Sequence, residues 1–161
     1  MDRWPHRRRV RAHGAPYLTQ KRDTNMTHTT LGDITAAHGF QVYEHLEAEA
    51  HVPVHSGLQA QGDLFIVPGA ASGTGTRAEV PAEGIAVIEA VGSGHEHRLF
   101  ASVPGTAFFT PLRGGQDIGV LECTETAYLL HPEHGATGVA AGSYVLRRQR
   151  EQADEERLVA D

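Results

Sequence analysis

Residues 95–131 read HEHRLFASVPGTAFFTPLRGGQDIGVLECTETAYLLH. The stretch holds four short apolar runs, at 97–103, 106–110, 118–122 and 126–131. Pro104-Gly105 ends the first, Pro111 with Gly114-Gly115 ends the second, and a polar step at 123–125 separates the last two. Runs of this length between Pro and Gly are too short for packed helices and read as β-strands joined by turns. The same grammar extends outward. Residues 63–67 form a run stopped by Pro68-Gly69, residues 85–91 a run ended by Gly92-Ser93-Gly94, and residues 143–150 a final strand carrying Tyr144, Val145 and Leu146. Seven such runs predict a mainly β domain, a small antiparallel barrel or sandwich. A nucleotide-binding α/β fold is disfavoured, because strands do not alternate with long helices.

On either side of this β domain (61–150) the pattern changes. Residues 26–60 form a mixed N-terminal segment. Leu31, Ile34 and Ala37 fall at helical spacing, with Thr30 and Asp33 as capping candidates, but Gly39 interrupts them and Phe40 and Val42 fit a strand equally well. Residues 70–84, rich in Gly, Ala, Ser and Thr, read as a long loop. Residues 1–25 read as a disordered basic arm, with Met26 as an alternative start, and residues 151–161 as a charged tail.

Composition narrows the functional classes. The 161 residues are 40% hydrophobic and 21% charged, enough apolar material for one buried core. No apolar run approaches the roughly 20 residues that cross a bilayer, so no membrane partner is expected. The net charge of −6 is uneven: residues 1–25 set seven Lys and Arg against two acids, whereas residues 26–161 set seven Arg against 18 acids. An acidic body repels phosphate backbones, which disfavours nucleic-acid binding by the globular part. Arg7-Arg8-Arg9 lacks the following apolar stretch of an export signal. The single cysteine, Cys123, excludes an intramolecular disulfide and agrees with a reducing, cytoplasmic setting.

Eleven histidines supply the chemistry worth weighing. His95-Glu96-His97 stands at the start of a strand, where residues two apart share a face. His131-Pro132-Glu133-His134 stands at the end of another, where Pro132 bends the chain and a three-residue offset brings both rings together. The expectation is that His95, His97, His131 and His134 converge on one divalent metal, with zinc the first candidate and nickel, iron or manganese as alternatives given carboxylate help. Histidines that merely cap turns are the bland alternative. Were the site catalytic, of hydrolase or oxygenase type, Glu96 or Glu133 would handle protons, although Glu96 should point away from the two rings on an ideal strand. A third reading is a structural subunit without metal, in a homo-oligomer or with a protein assembly partner.

Other features read as structural. Cys123 has no helix N-terminus beside it and reads as a half-buried thiol. The glycine-rich segment 69–77 lacks the Gly-Lys-Ser/Thr ending of a phosphate loop and reads as a hairpin connection. Arg147, Arg148 and Arg150 read as the charges of a protected edge strand.

Two resemblances touch these motifs. His95-Glu96-His97 resembles the start of the first cupin motif, but Ala101 and Ser102 stand where that motif needs its Glu, and no activity carries over. Over residues 61–161 the chain resembles a family of small uncharacterised bacterial and phage-associated proteins. The likeness rests on Gln61-Gly62-Asp63, Gly94-His95-Glu96-His97, His131-Pro132-Glu133-His134, Gly142-Ser143-Tyr144, Arg148-Gln149-Arg150-Glu151 and Val159-Ala160-Asp161 in that order, with Pro132 as a departure. It implies a shared domain and a start near Met26, and brings no activity.

Overall fold

A computed structural model describes residues 29–71, 75–89 and 95–149. The arm at 1–25, the start at Met26, the turn at 92–94, Arg150 and the tail at 151–161 lie outside the described residues.

Among the described residues, one helix and eleven strands make three layers. Helix α1 (Leu31–His38) begins at a reciprocal cap: the Thr30 hydroxyl accepts from the Asp33 N–H at 3.1 Å, and the Asp33 carboxylate accepts from the Thr30 N–H at 3.0 Å. It ends at Gly39 in the left-handed conformation. The ambiguity of the N-terminal segment resolves to this short helix followed by turns, and residues 40–50 form no strand.

The strands are β1 (Val54–His55), β2 (Gln59–Gln61), β3 (Leu64–Pro68), β4 (Ala78–Glu79), β5 (Ile85–Ile88), β6 (His97–Ala101), β7 (Ala107–Pro111), β8 (Asp117–Cys123), β9 (Ala127–His131), β10 (Gly135–Val139) and β11 (Gly142–Arg148). They form a five-stranded sheet ordered β1-β10-β9-β6-β5 and a six-stranded sheet ordered β2-β3-β11-β8-β7-β4. Pairing is antiparallel except for β1 against β10. The sheets do not close into one barrel, so the architecture is a sandwich. Four strands escaped the sequence reading. β1, β2 and β4 have two or three residues each, and Gly135, Thr137 and Gly138 dilute the apolar content of β10.

Alternation divides the side chains of the five-stranded sheet. Leu99, Ala127, Leu129 and Val139 face the other sheet and meet Leu64, Ile66, Leu121, Tyr144 and Leu146 in the main core. Phe100, Tyr128 and Leu130 face outward and are covered by Ile34 of α1 with Phe40 and Val52. β9 is therefore buried along its whole length.

The final strand corrects one expectation. β11 lies between β3 and β8, not at an edge. Its apolar centre, Tyr144, Val145 and Leu146, is buried in the sheet, and the arginines mark only its end. There Arg147 donates to Asp117 at 2.6 Å and Arg148 to Asp63 at 3.2 Å. Among the described residues no helix is long and apolar enough to cross a membrane.

Candidate metal centre

The histidines meet because of strand register. β6 and β9 pair antiparallel with Arg98 opposite Leu130 and Leu99 opposite Leu129. One step further along, His97 stands opposite His131, on the face turned to the other sheet. Both are buried, and their ring centroids are 4.4 Å apart. β9 then turns through Pro132, Glu133 and His134 into β10, with Gly135 paired to His131. The turn folds His134 back so that its ring stacks on His131 at 4.5 Å with an interplanar angle of 20°. His95, two residues before His97, brings its ring to 5.9 Å from that of His131.

Two further segments close the cluster. The Tyr43 N–H donates to the Pro132 carbonyl at 3.0 Å, and the Tyr43 hydroxyl lies 2.6 Å from His95 Nε2. From the six-stranded sheet, the turn between β2 and β3 lays the Gln61 carbonyl 3.0 Å from His97 Nε2 and Asp63 Oδ1 3.9 Å from the same atom. Glu133 Oε1 lies 3.6 Å from His95 Nε2.

These contacts assign protons. A carbonyl only accepts, so His97 Nε2 carries a hydrogen and donates it to Gln61; Nδ1 is then a bare lone pair, buried and without a hydrogen-bond partner. His131 Nδ1 accepts from the Glu133 N–H at 3.1 Å. Burial pushes the pKa of His97 below the ordinary imidazole value, opposed by its bond to Gln61 and by Asp63. Burial, and then the neighbouring His97 and His134, push His131 down to about 4, with Glu133 acting in the opposite direction. Both buried rings are neutral at pH 7, the form that ligates metals.

The four anticipated histidines thus form one contiguous cluster of rings around His131, but not one set of equivalent donors. Among the described residues, the group of three whose ligand atoms all lie within 4.8 Å of one another is His131, Glu133 and His134. His95 Nε2 is engaged by Tyr43 and His97 Nε2 by Gln61. The two carboxylates named beside them separate. Glu133 sits in the cluster, whereas Glu96 accepts from Arg98 at 2.7 Å, on a side chain that also donates to the Glu83 carbonyl. Tyr43 and the role of Gln61 were missed in the sequence. Gln61-Gly62-Asp63 was visible as a motif, but nothing local says that it reaches the histidines; Tyr43 carries no signal.

His38, His45 and the thiol have ordinary surroundings. His38 packs on Phe100 at 4.4 Å and His45 lies 5.8 Å from Tyr43. Cys123 is buried, donates to the Ala140 carbonyl at 3.3 Å, and has its pKa raised by burial, so it is a poor nucleophile.

Fold and site together define a β-sandwich domain with an imidazole- and carboxylate-lined rim. Residues 60–149, more than half of the chain, match the domain of unknown function DUF8820, and the chain belongs to that family. The match takes in every residue of the cluster except Tyr43. No curated protein and no solved structure matches the chain.

Proposed function

We propose that this domain binds one divalent transition metal at the end of the β9–β10 hairpin, with His131, His134 and Glu133 as the first donors and His95 and His97 beside them. The observation that carries the reading is the mutual approach of two imidazoles and a carboxylate to within 4.8 Å, on a turn pinned by two other segments. Two nitrogens and one oxygen suit Zn²⁺ best, at about 2.0–2.2 Å from each donor, and also suit Ni²⁺, Fe²⁺ and Mn²⁺. The depressed pKa of His131 favours the same reading, because no proton competes for that ring near neutrality.

His131 sets one condition. While Nδ1 accepts from the Glu133 N–H, the neutral ring holds its proton on Nε2. Ligation through Nδ1 displaces that hydrogen bond, and ligation through Nε2 moves the proton. Either change alters the Glu133 amide.

Calorimetric titration of the metal-free chain with Zn²⁺ tests the reading, with metal analysis after dialysis. One equivalent per chain is expected, with a shift of the Glu133 amide resonance. In His134→Ala, whose side chain is exposed and outside the core, affinity should fall at least about 100-fold, since one of three donors is gone. A chain that retains none of the four metals, or a His134→Ala variant that binds like the parent, sinks the proposal.

A further inference from the structure

The turn Gln61-Gly62-Asp63 belongs to the six-stranded sheet, yet its principal contacts are with the other one. The Gln61 side-chain amide donates across the sandwich toward the Leu129 carbonyl at 3.1 Å, the Gly135 carbonyl at 3.3 Å and Thr137 Oγ1 at 3.1 Å. These acceptors belong to the two strands that flank the histidine turn. The main-chain carbonyl of Gln61 holds His97 Nε2. On the far side, Asp63 is tied to the end of β11 by Arg148 and by the Gln149 N–H, which donates to its carbonyl at 2.7 Å. Both ends of the turn are fixed.

Gly62, between them, is the point of closest approach. Its φ of 58° is left-handed, as the first central position of a type II′ hairpin turn requires. A Cβ placed there would lie 2.9 Å from His134 Nε2, 3.0 Å from its Cδ2 and 3.5 Å from His97 Nε2. His134 occupies the space that a side chain at 62 would take.

We infer that the Gln61-Gly62-Asp63 turn is the positioning element of the histidine cluster: the Gln61 carbonyl fixes the ring of His97, and the bare Cα of Gly62 admits the ring of His134. For the spacing of metal donors this rests on the metal-binding reading above; for the rings themselves it stands alone. Gln61 and Gly62 are positioning residues and not ligands. The turn acts on His97 through hydrogen bonding and on His134 through shape, so it sets which nitrogen each ring presents as well as where the ring sits.

The test compares Gly62→Ala with Gly39→Ala. Both glycines are left-handed, at φ 58° and 61°, but a Cβ at Gly39 meets nothing within 4 Å. Both substitutions thus put a Cβ on a backbone of positive φ, and only the one at 62 also meets the rings. The first readout is the imidazole ¹⁵N resonances of the metal-free chain, and the second is Zn²⁺ affinity. Gly62→Ala should move the His134 and His97 resonances and weaken Zn²⁺ binding at least tenfold, while Gly39→Ala leaves both as in the parent. Unmoved rings in Gly62→Ala, or equal shifts in the two variants, overturn the inference. If Gly62→Ala does not fold, the tautomer of His97 in the metal-free parent decides: a proton on Nε2, the nitrogen facing the Gln61 carbonyl, is expected, and a proton on Nδ1 overturns the inference equally. A parent chain that takes up no Zn²⁺ defeats the metal reading, and the ring resonances then decide the role of the turn alone.

Discussion

Among the directly opposed pairs on one face of β6 and β9, two make a contrast in chemistry. Leu99 faces Leu129 in the main core, and His97 faces His131 two residues along. Burial is the same, 1% and 0% exposed for the leucines against 3% and 5% for the histidines. Register delivers both pairs with equal accuracy. Removing a leucine side chain from water contributes about 1.5–3 kcal/mol. Removing an imidazole costs free energy wherever a nitrogen stays unbonded, as His97 Nδ1 does. The leucine end holds the sandwich together, and the histidine end is kept at the expense of stability. Polar groups retained in this way point to a use beyond folding.

The comparison is tested most strongly at its apolar half. Leu129→Ala should destabilise the chain by about 2–5 kcal/mol, the range for a fully buried leucine in a core that cannot collapse around the gap. Urea unfolding followed by circular dichroism measures it. A loss under about 1 kcal/mol would show that the two sheets are not held together by this pair.

The histidine half should respond to acid instead. The unfolded His131 titrates near 6.5 and the folded one at about 4, so between these values the unfolded chain binds a proton that the folded chain does not. Stability contributed by the neutral ring is complete above pH 6.5 and is lost as pH falls toward 4. The parent should therefore lose up to about 3 kcal/mol more than His131→Leu between pH 7 and pH 4. Taking the difference between the two proteins removes the carboxylates they share. The leucine also places an apolar group where the parent buries a polar one, so its stability at pH 7 should equal or exceed that of the parent. Parallel pH profiles would break the contrast between the two pairs.

How much of this was legible follows from which interactions are local. Strands such as β6, β7 and β9 announce themselves, because apolar runs and their Pro and Gly boundaries lie within a few residues. The capping of α1 by Thr30 and Asp33 is equally local. The convergence of His97 and His131 required only that the two strands be neighbours in register, and spacing by twos then put both rings on one face. What could not be read is contact between segments distant in sequence. Gln61 reaches Leu129 across the sandwich, and Tyr43 reaches His95 from a segment of turns with no periodicity. The place of β11 in the middle of its sheet was hidden for a related reason. Its terminal arginines look like edge protection, yet their partners Asp117 and Asp63 lie on or beside the two flanking strands.

Tyr43 gives the smallest and most discriminating comparison, between the buried rings and their exposed margin. Its hydroxyl meets His95 where both side chains face solvent, so water replaces either partner readily, whereas water has no such access to His97 or His131. Tyr43→Phe removes that one hydroxyl and leaves the main-chain bond to the Pro132 carbonyl in place. The change in stability should therefore stay below about 1 kcal/mol, the size of one exposed neutral hydrogen bond. The His95 ring should nevertheless report the loss, because the group holding its Nε2 at 2.6 Å is gone. The expected result is a displaced His95 ¹⁵N resonance with the His97 and His131 resonances unmoved. If those two moved as well, the margin and the buried rings would be one coupled unit, and the boundary drawn between solvent-facing and enclosed histidines would have to be abandoned.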